Sequence, residues 1–321
     1  MYKKSEQLLE RALKSIPLAS QTFSKSLTQY PKGVSPFFIE KGKGSKVWDV
    51  DGNEYIDFVN SLAAVTLGYC DADVDQAVQD QMQNGVTFSL PHTLEIELSE
   101  KLIDIIPCAE KVRFAKNGTD ATSASIRIAR AYTGKEHIAV CGYHGWQDWY
   151  IGSTSRDLGV PKAVKALTHK FEYNNIESLE RIFQQNELAC LIMEPMNVEY
   201  PQNNFLEKVK ELVHNNNALL IFDETITGFR YSLGGAQELF NVIPDLATFG
   251  KGMANGYPLS AVVGSDKVMK KVEDIFFSGT FGGETLSLAA ANAIIDKYKK
   301  VKVIKHFSEI GSYLLEQLNQ L

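Results

Sequence analysis

The chain carries the stretch Asp245-Leu-Ala-Thr-Phe-Gly-Lys251-Gly-Met-Ala-Asn-Gly256, in which an apolar run ends at a lysine on a glycine-flanked turn. A second apolar run lies upstream, Leu219-Leu-Ile-Phe-Asp223-Glu224, and ends at a carboxylate. Both runs are continuous rather than alternating, which is typical of strands covered on both faces. They predict two buried strands, with Lys251 at the end of one and Asp223 at the end of the other.

The same pattern of apolar strand and helix continues over most of the chain. Strands are predicted over residues 112–115, 137–141, 189–193, 218–222, 246–249 and 260–263, and helices over 5–16, 73–83, 94–106, 285–298 and 303–321. A small β-meander is predicted over 37–58, with Asp51-Gly52 as a hairpin turn. The alternation of helices and strands predicts an α/β fold with a mostly parallel central sheet and helices on both faces.

Composition narrows the possible partners. A net charge of −6 argues against general binding to nucleic acid or to an anionic membrane. No apolar run reaches the length that a bilayer requires, so no membrane partner is expected. The cysteines are widely spaced and form no metal-ligand pattern, which predicts reduced core thiols in a cytoplasmic protein without a metal site.

Two segments that follow predicted strands could bind parts of a ligand, an anion in the first and a planar ring in the second. Asn117-Gly118-Thr119 opens a predicted helix, and the free amides of a helix start attract anions. The alternative is a simple helix cap at Thr119-Asp120. Tyr143 follows the strand 137–141 and could stack on a planar ring. The alternative is that Tyr143 is an aromatic residue packed in a loop. The neighbouring His144 could likewise be a structural histidine.

Two further segments carry polar groups in loops. Glu194 and Glu199 follow the strand 189–193, where they could orient a substrate or stand as exposed loop acids. Gly279-Thr280 precedes a helix rich in small residues and could donate to a phosphate. The alternative for that segment is a flexible glycine turn.

Taken in order, these segments resemble the class III pyridoxal phosphate aminotransferases of fold type I, over a range from about Ile16 to the C-terminus. Within that family the likeness is greatest to glutamate-1-semialdehyde 2,1-aminomutase. A Schiff-base amine, with a carboxylate that keeps a pyridine nitrogen protonated, is the pairing that pyridoxal phosphate needs. The resemblance rests on Trp48–Asp57, Asn117–Thr122, Tyr143–Gly145, Glu194–Pro195, Phe222–Arg230, Gly234–Gln237, Pro244–Asp245, Gly250–Lys251 and Gly279–Thr280.

The resemblance implies a role for each segment. Lys251 would form the internal aldimine with pyridoxal 5'-phosphate and then carry a proton, and Asp223 would hold the pyridine nitrogen protonated. The phosphate would lie on Asn117, Gly118 and Thr119, and Tyr143 would stack on the ring. Gly279 and Thr280 would reach the phosphate bound by a partner subunit, which predicts a homodimer.

The implied activity moves an amino group from an amine or amino acid donor to an oxo acceptor through a pyridoxamine intermediate. Lys25 stands where the mutases carry an Arg for the substrate carboxylate, and Glu199 where some class III enzymes keep a gating glutamate. Lys lacks the bidentate fork of Arg, and Leu62 replaces a pocket Trp of the mutases. The sequence therefore favours an aminotransferase over the alternative, the intramolecular aminomutase.

A third alternative is a non-enzymatic regulator that binds the cofactor. Such proteins attach a DNA-binding domain, and the chain has neither a basic lobe nor room for a helix-turn-helix. The resemblance also predicts a domain division, with an N-terminal segment of a smaller α+β domain (1–62), a large cofactor-binding domain (63–300) and the start of the C-terminal small domain (301–321). The family continues beyond this C-terminus, so we expect the remainder of the small domain to be missing.

Overall fold

The computed structural model describes residues 2–321 and contains a small antiparallel sheet near the N-terminus. Its strands follow the order β1-β2-β3 and comprise Ile39–Lys43 (β1), Lys46–Asp49 (β2) and Glu54–Ile56 (β3). The turn between β2 and β3 contains Gly52 at φ +89°, a left-handed conformation that glycine adopts without a Cβ penalty. The predicted hairpin turn at Asp51-Gly52 is therefore confirmed.

A seven-stranded sheet forms the centre of the described residues, in the order β4-β10-β9-β8-β7-β5-β6. Strands β5 to β9 run parallel to one another, whereas β10 is antiparallel to both β9 and β4. The prediction of a mostly parallel sheet is confirmed. The strands are Lys111–Ala115 (β4), His137–Cys141 (β5), Thr168–Lys170 (β6), Leu188–Met193 (β7), Leu219–Asp223 (β8), Leu246–Phe249 (β9) and Ser260–Gly264 (β10).

One strand of this sheet was not predicted. The edge strand β6 is only three residues long, Thr168-His-Lys, and pairs with β5 alone. An edge strand of this length needs no apolar run, so the hydrophobic pattern gives no signal for it.

The longer helices are Lys3–Ala12 (α1), Ala72–Met82 (α2), Thr93–Ile105 (α3), Gly118–Thr133 (α4), Ile176–Gln185 (α5), Phe205–Asn215 (α6), Thr285–Lys300 (α7) and Val303–Leu318 (α8). Five of them, α1, α2, α3, α7 and α8, match the predicted ranges to within a few residues, and the largest difference is at α1, which ends at Ala12 rather than at residue 16. No bounds were predicted for α4, α5 and α6. Single helical turns occur at Asp148–Ile151, Lys162–Lys165, Ala236–Phe240 and Asp266–Met269, and 3₁₀ turns at Pro17–Ala19, Phe23–Lys25, Lys251–Ala254 and Lys270–Glu273.

Alternate residues of the central strands enter different hydrophobic cores. Ile138 and Val140 of β5 pack with apolar residues of α4 on one face of the sheet. Ala139, between them, packs on the opposite face with residues of α5 and α6. On that face α2, α3 and α7 cover β9 and β10. Helices on both faces explain why the strands are continuous apolar runs.

In the part of the chain that the structure describes, no helix is both long enough and apolar enough to cross a bilayer. The three-stranded sheet lies within the range predicted for the small domain, 1–62, and the seven-stranded sheet within the range predicted for the large domain, 63–300. The division of the chain into 1–62, 63–300 and 301–321 itself stays a prediction.

Candidate active site

The carboxyl ends of the parallel strands surround one cavity of about 340 Å³. This edge of an open α/β sheet is where ligands bind in such folds. The cavity is bordered by the segments that follow β4, β5, β7, β8 and β9. It brings together six residues to which the resemblance gave cofactor roles, Asn117, Gly118, Thr119, Tyr143, Asp223 and Lys251.

Asp223, the last residue of β8, lines this cavity as a buried carboxylate that takes part in three hydrogen bonds. His144 Nδ1 lies 2.8 Å from Oδ2, and Oδ1 accepts from Thr248 Oγ1 at 2.9 Å and from the Thr225 amide at 3.1 Å. Burial acts to raise the pKa of the Asp223 carboxyl, but these hydrogen bonds and the charge of His144 outweigh it and hold the pKa below its usual value. Asp223 is therefore ionised near neutral pH.

His144 orients this carboxylate. Its Nε2 lies 3.1 Å from the Cys141 carbonyl oxygen, which can only accept, so Nε2 carries a proton. Its Nδ1 faces Asp223, and the imidazole is buried and stacks on Trp149. The sequence left His144 open as a structural residue and gave no signal for Thr248. Both are now seen to hold the Asp223 carboxylate in place.

Lys251 begins the 3₁₀ turn after β9 and has a left-handed backbone with φ +42°. Burial lowers the pKa of its amine, the carboxylates of Asp223 and Glu194 act in the opposite direction, and the charge of Arg230 adds to the lowering. The net pKa lies below the usual value for lysine. A lowered pKa increases the fraction of unprotonated amine, which is the nucleophilic form.

Glu194 adds a second buried carboxyl to the cavity. It accepts from the Tyr143 amide at 3.0 Å and from Asn197 Nδ2 at 2.8 Å. Burial raises the pKa of this carboxyl, and the hydrogen bonds only partly offset the effect. Glu194 thereby fixes the backbone of Tyr143, whose ring is 61% exposed where it lines the cavity.

The start of α4 forms another wall of the cavity. The first amides of a helix have no intrahelical acceptor, so those of Gly118 and Thr119 are free to bind an anion. Asp120 Oδ2 accepts from the Asn117 amide at 2.8 Å and caps the same turn. A Cβ on Gly118 would lie 3.2 Å from Thr225 Cγ2, so glycine permits this close approach. Capping and anion binding are thus compatible at one helix start.

The donor set fits pyridoxal phosphate. The cavity volume is within the range of small-molecule sites, roughly 300–1,000 Å³. Among the described residues, the buried Thr225 hydroxyl that lines it has no hydrogen-bond partner. An unpaired buried hydroxyl is costly unless a ligand satisfies it. Free helix amides, an ionised carboxylate, an amine of lowered pKa and an aromatic ring are thus all present around one space.

The other predicted site residues lie outside the lining of this cavity. Lys25 lines a separate cavity of about 540 Å³ beside the three-stranded sheet. Glu199 is exposed in the loop after β7. Gly279 and Thr280 are exposed and line a third cavity, of about 580 Å³. The roles of these residues stay predictions.

The loop that carries Thr280 is nevertheless held in a defined position. Arg127 Nη1 donates to the Phe276 carbonyl at 2.6 Å, and Arg113 Nη2 donates to the Phe277 carbonyl at 3.1 Å. Lys116 lines both this third cavity and the cavity of Lys251. The two cavities are therefore neighbours at the end of β4.

Comparison with known proteins gives consistent matches. The family described as Aminotransferase class-III matches residues 29–321. A 3-aminobutyryl-CoA aminotransferase of Cloacimonas acidaminovorans (strain Evry) is 40% identical over 94% of this chain and 74% of its own length. A glutamate-1-semialdehyde 2,1-aminomutase of Francisella philomiragia is 37% identical over 98% of this chain and 77% of its own length.

A solved structure shows the same fold. The FumI protein of Sphingopyxis sp. MTA144, in its PLP internal aldimine form, superposes with a TM-score of 0.86 at 28% identity, over 93% of this chain and 73% of its own. These matches confirm the fold class, the cofactor and the resemblance drawn from the sequence. The chain belongs to the class III aminotransferase family and is a pyridoxal-phosphate-dependent enzyme of fold type I.

Proposed function

We propose that the protein transfers an amino group from an amine or amino acid donor to a separate oxo acceptor in the cavity of Lys251. When bound, pyridoxal phosphate supplies an electron sink for the carbon that carries the amino group. The observation that carries the proposal is the presence of Lys251 and the ionised Asp223 around one cavity at the carboxyl edge of the sheet.

Each cavity residue has a proposed task. Lys251 moves the proton of the carbon that carries the amino group, a task that suits an amine of lowered pKa. Asp223, oriented by His144 and Thr248, holds a proton at the pyridine nitrogen. The amides and side chains of Asn117, Gly118 and Thr119 bind the phosphate, and Tyr143 covers one face of the ring.

Residues near the cavity favour a separate acceptor over an intramolecular mutase reaction. The mutases carry the motif Tyr-His-Gly-His, which reads Tyr143-His-Gly-Trp146 in this chain. Trp146 lines the cavity and is 67% exposed. Lys25 lies in another cavity and lacks the bidentate geometry of Arg. The relative from Cloacimonas acidaminovorans is named for a 3-aminobutyryl-CoA substrate, so we include β-amino acyl thioesters among the donors.

We expect an amino donor to bleach the visible absorbance of the purified holoenzyme, and an added oxo acid to restore it. The donors to test are amino acids, simple amines and 3-aminobutyryl-CoA, with 2-oxoglutarate and pyruvate as acceptors. Glutamate-1-semialdehyde is tested without an acceptor. Turnover of glutamate-1-semialdehyde alone, with no response to any donor and acceptor pair, would establish the aminomutase instead.

We further propose that the enzyme is a cytoplasmic homodimer in which Thr280 binds the phosphate in the partner's cavity. The exposure of Thr280 and the fixed position of its loop support this assignment. Thr280→Ala is expected to weaken cofactor binding about tenfold, since a hydrogen bond to a charged group contributes about 1.5–3 kcal/mol. Titration of the apoenzyme with pyridoxal phosphate measures the effect, and Ser278→Ala in the same loop is the control.

Mixed dimers test whether Thr280 acts across the interface. In a dimer of one Thr280→Ala and one Lys251→Ala subunit, a partner-donated Thr280 leaves one cavity with both native residues. We expect that cavity to bind cofactor with wild-type affinity. If Thr280 bound the phosphate in its own subunit, neither cavity would have both native residues, and neither would bind cofactor with wild-type affinity. A monomer in sedimentation at working concentration would contradict the dimer directly.

A further inference from the structure

The connection between β3 and α2 contains a left-handed turn without glycine. Asn60, Ser61, Leu62 and Ala63 have φ values of 50°, 52°, 60° and 64°. A left-handed backbone costs an L-residue roughly 1–2 kcal/mol, and successive residues of this kind are rare outside glycine. Contacts outside the turn must therefore hold it.

Asp57 holds the start of this turn. Its Oδ1 accepts from the amides of Val59 and Asn60 at 2.8 and 3.1 Å. Its Oδ2 accepts from the Tyr69 hydroxyl at 2.6 Å, and the Tyr69 backbone pairs with Gly44 beside the three-stranded sheet. The start of the turn is thus fixed to the N-terminal part of the chain.

Arg230 holds the end of the turn. Its Nη2 donates to the Ala63 carbonyl at 2.7 Å, and its Nε donates to the Ile226 carbonyl at 3.1 Å. Ala64, the next residue after the turn, and Ile226 both line the cavity of Lys251. One planar guanidinium therefore joins two walls of the cavity, a geometry that a lysine amine does not reproduce.

A third contact ties the same connection to the lysine turn. Asn255 directly follows the turn Lys251–Ala254, and its side chain accepts from the Leu67 amide at 2.9 Å and donates to the Gly68 carbonyl at 3.0 Å. The segment after Ala64 is therefore fixed independently of Arg230. Loss of Arg230 would release the wall at Ala63–Ala64 without releasing Lys251.

We propose that Arg230 is a positioning residue that sets the separation between the Ala64 and Ile226 walls, and thereby the affinity for the amino donor. The inference rests on the proposed transamination in this cavity. Both hydrogen bonds of Arg230 go to backbone carbonyls. Arg230 therefore affects the affinity for the donor through the position of the two walls and not through a contact with the donor. Asp223, Lys251 and the start of α4 keep their contacts when Arg230 is changed.

The test compares Arg230→Lys with wild type as holoenzymes. We expect the donor concentration that half-bleaches the cofactor absorbance to rise about tenfold, equivalent to about 1.4 kcal/mol. The maximal rate of bleaching should stay within about threefold, and the Kd for pyridoxal phosphate, titrated into apoenzyme, within about twofold of wild type. Arg230→Gln, which keeps donors but shortens the side chain, should weaken donor binding at least as much.

Arg130→Lys is the matched control, because Arg130 also donates from Nε to a backbone carbonyl, that of Glu136 at 2.8 Å, at the far end of α4. The Arg130→Lys variant should have the same donor affinity as wild type. The proposal fails if Arg230→Lys shifts donor affinity no more than Arg130→Lys does. It also fails if the cofactor affinity and the maximal rate of Arg230→Lys fall along with its donor affinity. If no donor changes the wild-type absorbance, the proposed function fails instead, so the two failures are distinguishable.

Discussion

Replacing Lys251 with alanine is expected to abolish turnover, with a fall in kcat of at least about 10⁴-fold, the upper contribution of a positioned acid–base group. Lys251 both attaches the cofactor and moves the proton in the proposed function, so its loss removes two steps. The visible absorbance of the holoenzyme should shift at the same time, because the covalent link to the cofactor is lost. Absorbance spectra and single-turnover assays with a responsive donor measure both effects.

Lys116→Ala is the control for this experiment. Lys116 lines the same cavity, but its amine is paired with Glu284 at 2.9 Å. We expect this variant to keep the visible absorbance and to lose activity by less than about tenfold, the range of partly buried ion pairs. If the visible absorbance persisted in Lys251→Ala but disappeared in Lys116→Ala, the cofactor would be attached to Lys116. That result would overturn the proposed site.

The sequence predicts the sheet well because two-sided burial requires continuous apolar strands. The runs that end at Asp223 and Phe249 are such strands, and the strands next to them, β7 and β10, are buried along their whole length as well. The residues that follow them gather at one edge because parallel strands end on the same side. The cluster of Lys251 and Asp223 is therefore the part of the site that local pattern predicts.

The remaining parts of the site depend on contacts between distant segments. His144, in the loop after β5, and Thr248, on β9, both reach Asp223, and Thr248 lies inside an apolar run that gave no reason to single it out. The turn at 60–63 has no glycine that would indicate its left-handed backbone, so neither the turn nor its contact with Arg230 was predicted. Tertiary contacts, rather than local preference, impose that conformation.

Lys25 shows a different limit of the sequence. Its assignment as a substrate residue came from its place in the family pattern, whereas the structure puts it in a separate cavity beside the three-stranded sheet. Position in a pattern does not determine which cavity a side chain enters. The substrate role of Lys25 therefore depends on experiment.

Replacing Asp223 with asparagine is expected to lower kcat about 10³-fold, the effect of removing one preorganised electrostatic group. An amide keeps the shape of the side chain but cannot hold a proton at the pyridine nitrogen by charge. Cofactor should still attach through Lys251, so the visible absorbance should persist while donor bleaching slows. Stopped-flow absorbance with a responsive donor measures the change.

Asp245→Asn is the matched control for this change. Asp245 also accepts from a histidine, His214 Nε2 at 2.9 Å, but that pair is partly exposed and Asp245 does not line the cavity of Lys251. Its replacement should leave the bleaching rate within about twofold of wild type, as expected for a site away from the chemistry. Equal slowing in both variants would mean that Asp223 has no special role.

The pH dependence of stability gives a test of Asp223 that needs no activity. Its pKa in the folded protein is lowered, because its hydrogen bonds and the charge of His144 outweigh burial. A lowered pKa contributes stability above the unfolded value, about 3.9, and this contribution is lost as the pH falls through the folded value. We therefore expect the free energy of unfolding of the wild-type apoenzyme, relative to that of the Asp223→Asn apoenzyme, to decrease as the pH falls below about 4. Denaturant unfolding at a series of pH values measures that difference. A constant difference down to pH 3 would show that Asp223 is not the stabilised carboxylate that its proposed role requires.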